Sequence, residues 1–250
     1  MTFFYCGTSG LVLPVPNKAA FPDAYREGSR LTYYSSLFNS IEINSSFYRL
    51  PRRVTMEKWV TEVPDGFRFT LKLWRGVTHE QDLSFSREGV RTFMEAAAGI
   101  GRKKGCLLVQ LPPGLRAGQI GKLEELLDLL VAGDPDRGWN IAVEFRHPSW
   151  YVEETRELLL RWHVGLVLQD MPASASWGEA GDGNFVYLRY HGPAGDYKGG
   201  YADGRLYKDA ERIRRWLTVK KSVYVYFNNT IGDALIDLER LRTLVLLPVA

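Results

Sequence analysis

Two glutamates stand in strand-like runs, where a carboxylate needs a reason to be. In NSIEINSSFYRLP (39–51), Ile41 and Ile43 alternate with Glu42 and Asn44. In IAVEFR (141–146), Glu144 and Arg146 share one face, and His147 follows. A carboxylate in a dry interior has its pKa raised when isolated and lowered beside Lys or Arg. Two carboxylates in different settings can therefore hold different protonation states at neutral pH and divide acid and base duties. Other runs end in groups of matching type. RFTLKLW (68–74) sets Lys72 between apolar neighbours, and its loop delivers Thr78, His79 and Glu80. CLLVQL ends near Gln110, VGLVLQ leads to Asp170, FVYLRY places Arg189 and His191 on one face, and SVYVYF does the same for Tyr224, Tyr226 and Asn228.

These residues suggest specific chemistry. Glu42 and Glu144 are expected to transfer protons, with Lys72 and His191 beside them at the catalytic centre. Lys72, Arg146 and Arg189, with His79 and His191, make a cationic funnel suited to phosphate or carboxylate. Asn44, Tyr48, Gln110, Asp170, Tyr226, Asn228 and Asn229 complete the expected binding set. The bland alternative is a set of barrel-filling ion pairs, Glu42 with Lys72 and Glu144 with Arg146 or Arg189. A Schiff base on Lys72 needs a lowered pKa, which neighbouring glutamates should oppose. Glu144, Asp170, His79, His147 and His191 are metal-ligand types without ligand spacing, so neither metal nor cofactor is expected. Ser9, Ser45 and Ser46 lack a G-x-S-x-G setting.

Eight parallel segments must position these groups. FFYCG (3–7), SIEIN (40–44), RFTLKLW, CLLVQL (106–111), IAVEFR, VGLVLQ (164–169), FVYLRY (185–190) and SVYVYF (222–227) all have strand character. Helical periodicity fills most intervals: Leu123, Leu126, Leu127 and Leu130; Leu158, Leu159 and Trp162; Ala234, Leu238, Leu241 and Val245. Ser149 stands before WYVEE as a helix start, and Thr230 stands at a capping-box spacing from Asp233. Strand then helix, eight times in 250 residues, predicts a single (β/α)8 TIM barrel over 1–250. The sixth unit is weak, since MPASASWGEAGDGN (171–184) replaces a helix. A doubly wound sheet is the alternative, but CGTSGLVLP carries no G-x-G-x-x-G.

A barrel's outward face packs on helices and must be apolar, whereas inward residues near the C-terminal end line its mouth. Glu42 and Asn44 then point inward near the top. Arg102, Lys103, Lys104, His163, Lys220 and Lys221 precede strands and belong at the bottom, as solvated or helix C-terminal charges. HGPAGDYKGGYADGRLY (191–207), with five glycines, is read either as a backbone anion cradle or as a flexible turn-rich lid. Tyr197, Tyr201 and Trp177 could stack on a sugar or base.

Composition sets the outer limits. Apolar residues make up 45% and charged residues 24%, and the net charge of +3 is too small to imply nucleic acid or membrane by itself. Cys6 and Cys106 are expected to be buried thiols in a reducing compartment. There is no signal-peptide pattern and no apolar run near 18 residues, so a cytoplasmic protein without a membrane span is expected.

The ordered set EINSSFYRLP, FRFTLKLWRGVTHE, VQLPPGL, VEFRHPSW, YLRYHG and VYFNN strongly resembles the YecE-like family, domain of unknown function seventy-two. The resemblance runs from Cys6-Gly7-Thr8-Ser9-Gly10 to Asn229. It implies a TIM barrel and no particular activity. LVLPVPNKAAFP (11–22) departs from the tryptophan, tyrosine and Tyr-Pro pair usual in the family's first loop. Taken together, the residues point to a metal-independent hydrolase, lyase or isomerase acting on a small anionic, phosphorylated or carbohydrate-like substrate. A non-catalytic small-anion sensor is the second reading. A nucleic-acid-processing barrel, drawing on Arg49, Arg52 and Arg53, is the least favoured.

Overall fold

A computed structural model describes residues 3–174 and 183–247. The eight predicted strands are present: β1 (Phe4–Thr8), β2 (Ser40–Ile43), β3 (Arg68–Lys72), β4 (Lys104–Gln110), β5 (Asn140–Glu144), β6 (Gly165–Gln169), β7 (Phe185–Tyr190) and β8 (Ser222–Phe227). All pair in parallel, in the order β1-β8-β7-β6-β5-β4-β3-β2. A single bridge, Ser9 to Glu42, brings β1 back to β2, and Gly10 N donates to Glu42 O at 2.7 Å. The sheet is a nearly closed TIM-like barrel in one domain.

The helices are α1 (Arg30–Leu37), α2 (Ser45–Tyr48), α3 (Arg53–Thr61), α4 (Arg75–Thr78), α5 (Arg87–Ala97), α6 (Ile120–Ala132), α7 (Glu153–Arg161), α8 (Asp203–Thr218) and α9 (Ala234–Leu246). The predicted apolar stripes face inward. Leu123, Leu126, Leu127 and Leu130 of α6, and Ala234, Leu238, Leu241 and Val245 of α9, are buried against the barrel's outer face. Helix starts differ from expectation. Val152 precedes α7, so Glu153 and Glu154 do lie in its first turn, but Ser149 sits in the preceding 3-10 turn and bonds His147 instead. Asp233, not Thr230, precedes α9, without a side-chain cap.

Alternation sorts the strand residues between two compartments. Cys6, Ile41, Ile43, Leu71, Leu107, Val109, Val143, Leu188 and Val225 face the helices, while Tyr5, Cys106, Leu108, Ala142, Val167, Phe185, Tyr187, Tyr224 and Tyr226 fill the barrel. Both cysteines are free and buried. The lower interior is dominated by tyrosines whose hydroxyls find polar partners: Tyr226 bonds Ser40 and Thr70 at 2.6 and 2.7 Å, and Tyr224 takes the Asn140 amide at 3.2 Å. At the bottom, Lys103 is not solvated; it donates to Val60 O and Val63 O, closing the C-terminal end of α3. Lys104 departs from the expected surface charge too, pairing at 2.6 Å with buried Asp134. Among the described residues no helix is long and apolar enough to cross a membrane.

Candidate functional site

One layer above the tyrosines the barrel turns ionic. Glu42, Glu144 and Arg189 are inaccessible to solvent or nearly so, and Arg189 lies between the two carboxylates. Its Nε and one Nη donate to Glu42 Oε2 and Oε1 at 2.9 and 2.8 Å, while the other Nη reaches Glu144 Oε2 at 2.6 Å. Ser9 Oγ and Tyr187 OH also donate to Glu42, one to each oxygen. Four donors fill the acceptor sites of a carboxylate. Arg189 is equally occupied: its remaining N–H groups meet His191 Nε2 at 3.1 Å and Ser9 Oγ at 3.4 Å. Glu42 and Arg189 therefore have nothing left to offer a solute.

The electrostatics follow from this packing. Burial alone would raise both carboxyl pKa values, but the guanidiniums win. Glu42 is held below the usual carboxylate range by Arg189, and Glu144 well below it by Arg189 and Arg146. The expected split of protonation states does not arise; both are ionised at neutral pH. Glu42 is paired with Arg189 and not with Lys72. Arg146 leans over Glu144, with its Nε on Glu144 Oε1, one Nη against Met171 Sδ and the other 3.0 Å from His191 Nε2.

His191 is buried behind the arginines. Its Nε2 faces two guanidinium donors, so that nitrogen must accept and Nδ1 must carry the proton. Nδ1 looks toward Asp170 Oδ1 at 3.4 Å, and the same oxygen takes the His191 backbone N–H at 2.8 Å. Asp170 Oδ2 accepts from Tyr201 OH, which in turn accepts Gly192 N–H at 2.7 Å. Burial and the neighbouring guanidiniums outweigh Asp170 and lower the His191 pKa, so the ring stays neutral.

The rim contrasts with this sealed floor. Lys72 ends β3 only partly buried, its Nζ 4.0 Å from the centre of the Phe47 ring. Among the described residues it makes no ion pair. Its pKa is lowered to about 8, by burial first and Arg189 next, against the pull of Glu144 and Glu42. This reverses the expectation that the glutamates would raise it: they are already neutralised, while the guanidiniums remain close. His79 lies edge-on to Phe47, its Nδ1 2.8 Å from Thr78 Oγ1. Burial and Lys72 lower its pKa to about 4. Asn44 is partly buried at the end of β2, and Asn228 at the end of β8.

Other expected contacts lie elsewhere. Tyr226 is below the ionic layer, with its hydroxyl committed to Ser40 and Thr70. Gln110 donates to Leu111 O, and Tyr48 is 65% exposed on α2. Asn229 is buried outside the mouth, donating to Gly199 O and Asp237 Oδ2 at 2.9 and 3.0 Å. The Gly-rich stretch is a pinned loop up to Ala202 and helix from Asp203, with Tyr201 buried and its N–H on Asp237. Tyr197 lies edge-on to His191 at 5.7 Å, and Trp177 falls outside the described residues. Ser9, Tyr187 and Phe47 are the site residues that sequence reasoning missed. For Tyr187 the signal was present, since it precedes Arg189 by two on the same strand. Among the described residues, no three His, Cys, Asp or Glu side chains gather as a metal site.

A barrel whose ionic floor is carried on the C-terminal ends of β2, β5 and β7 defines the class: a TIM-like barrel with a polar mouth. The model of the family "Protein of unknown function DUF72" matches residues 5–248, and the chain belongs to that family. Two relatives are the UPF0759 protein YecE of Escherichia coli K12, 28% identical over 130 residues, and the UPF0759 protein YunF of Bacillus subtilis, 28% over 137. Each alignment covers 52% of this chain, and 46% and 47% of the relatives, so the chain matches about half the length of each. A crystal structure of a DUF72 family protein from Enterococcus faecalis superposes with a TM-score of 0.81 at 19% identity, over 99% of this chain and 97% of that one. One from Thermotoga maritima gives 0.73 at 24%, over 97% and 99%. At these identities the likeness is one of fold.

Proposed function

We propose that the barrel mouth takes a small anionic substrate and performs acid/base chemistry of the hydrolase, lyase or isomerase kind, with Lys72 moving the proton. The observation that carries this reading is the contrast between floor and rim. Glu42 and Glu144 are balanced by Arg189 and Arg146 in a nearly solvent-free layer, while Lys72 holds a charge with no ion pair among the described residues. An arriving phosphate or carboxylate supplies the missing counter-charge. The glutamates then serve to fix Arg146 and Arg189 and to set the field felt by Lys72. They are too weakly basic to take a proton and too firmly ionised to give one.

With a pKa near 8, Lys72 exchanges its proton within the working range of an enzyme. A bound anion stabilises the ammonium form, so binding itself converts a ready base into an acid. The test is turnover of phosphorylated sugars and sugar acids by the purified protein. Product formation should show a limb near pH 8 in kcat/KM, be abolished in Lys72→Met, and stay lost in Lys72→Arg while the anion still binds. Turnover that survives Lys72→Met would sink the assignment. The saturation of Glu42 and Arg189 also favours a second reading, a non-catalytic anion-binding barrel. Saturable binding without product over hours would select it.

A further inference from the structure

One ring nitrogen holds two cations together. His191 Nε2 lies 3.0 Å from an Nη of Arg146 and 3.1 Å from an Nη of Arg189. Guanidiniums repel one another, and an acceptor shared between them offsets that repulsion only while it carries no proton. For Arg146 this contact matters most. Its Nε is on Glu144 and one Nη on the Met171 thioether, a weak acceptor, so His191 is its second strong partner among the described residues.

Asp170 keeps that nitrogen bare. Its Oδ1 accepts the His191 backbone N–H at 2.8 Å and faces Nδ1 at 3.4 Å, where Nδ1 makes no hydrogen bond of good geometry. Its Oδ2 is held by Tyr201 OH, which Gly192 N–H in turn holds at 2.7 Å. A carboxylate fixed beside Nδ1 draws the ring proton to that side and leaves Nε2 free to accept. Lys72 is tied to the same layer by register. It pairs with Leu108, and Leu108 with Ala142, which places Lys72 one inward step below Glu144, the carboxylate that Arg146 covers.

We infer that His191 is a positioning residue for Lys72: its bare Nε2 keeps Arg146 over Glu144, so that the lysine meets a balanced carboxylate and releases its proton readily, and Asp170 keeps that nitrogen bare. The inference rests on the proposed role of Lys72 and adds how its proton is kept labile. Displacing Arg146 takes a cation from the layer and leaves Glu144 to Arg189 alone. Both changes strengthen the hold of Lys72 on its proton.

Nitrogen NMR on the purified protein tests this without a substrate. In the wild type the His191 proton should sit on Nδ1 at neutral pH, and Lys72 should titrate at about 8. His191→Leu should move that titration upward, toward the ordinary 10.5. His191→Gln, whose amide oxygen can accept in place of Nε2, should stay near the wild type. Asp170→Asn keeps an acceptor for the backbone N–H but loses the charge, so the second tautomer should appear and Lys72 should again move upward. Loss of a negative charge acting directly on Lys72 would move it downward, which separates positioning from plain electrostatics. A proton on Nε2 in the wild type, or a Lys72 titration that His191→Leu leaves in place, would overturn the inference. An equal rise in His191→Gln and His191→Leu would do the same, since it would show loss of fit and not of an acceptor. Wild-type Lys72 titrating at 10.5 would overturn the inference together with the role proposed for Lys72, whereas these shifts without any turnover would remove the catalytic reading alone. Should His191→Leu not fold, the wild-type ring nitrogens and the Asp170→Asn titration decide.

Discussion

Lys72 is the residue where structure and stability pull in opposite directions. Its pKa is about 8 in the folded protein against an ordinary 10.5, so between those values the unfolded chain binds more protons and stability rises with pH. Below about pH 8 the folded state bears the whole cost of a partly buried ammonium. Lys72→Met should therefore raise stability at pH 7 by about 1–3 kcal/mol, net of the lost contact with Phe47. That gain should shrink toward zero by pH 10.5. Thermal melts of both proteins across pH 6–10.5 measure it, and a constant or negative difference would refute the account. Sequence alone could not yield this. It set Lys72 near the glutamates but could not tell that Arg189, 147 positions from Glu42, and Arg146 had already balanced them. A local alternation reveals which way a side chain points, not which distant partner it meets.

At the scale of elements, the segment after β7 is held by its own polar clasps. Tyr201 N and Asn229 Nδ2 both donate to Asp237, and Arg240 donates to Tyr201 O and to Asp237. Gly192 has φ +93, and a Cβ there would lie 2.3 Å from Lys198 O. Gly192→Ala should thus force the turn apart, at a cost of about 2–4 kcal/mol. Because Gly192 N–H also seats Tyr201 OH under Asp170, hydrogen exchange across residues 191–202 should quicken in the variant. Unchanged protection there would count against the clasp. The five glycines alone could not distinguish an anion cradle, a lid and a pinned loop. The deciding residue, Asp237, lies on α9, where helical spacing marks it only as one position among several. Strands were more legible than caps, since alternation repeats along a whole segment and a cap rests on one hydrogen bond.

For the whole molecule, the two glutamates are where the barrel is most sensitive to acid. Their folded pKa values lie below the ordinary 4.5, so their stabilisation is complete above that value and is lost as pH falls through the folded values. His79 acts in the same direction a little earlier: with its pKa at about 4 against an ordinary 6.5, stability declines as pH falls between the two. Arg189→Met, which strands Glu42 and leaves Glu144 with Arg146 alone, should cost about 3–5 kcal/mol at pH 7 and should flatten the acid limb of a stability–pH curve, as those carboxyls then protonate more readily. Denaturant titrations at pH 7, 5 and 3.5 would check both parts; an Arg189→Met protein as stable as wild type would remove Arg189 from its central place.

The bridge from Ser9 to Glu42 has a consequence for how the chain reaches its native state. β1 is made first during synthesis, yet Phe4 to Thr8 pair with Val223 to Phe227, and Ser9 N donates to Phe227 O. That pairing closes a loop of more than two hundred residues, a long-range contact of the kind that slows folding. Seating β1 also delivers the Ser9 hydroxyl to Glu42. The same strand end thus carries both the closure of the barrel and a hydrogen bond of the ionic floor.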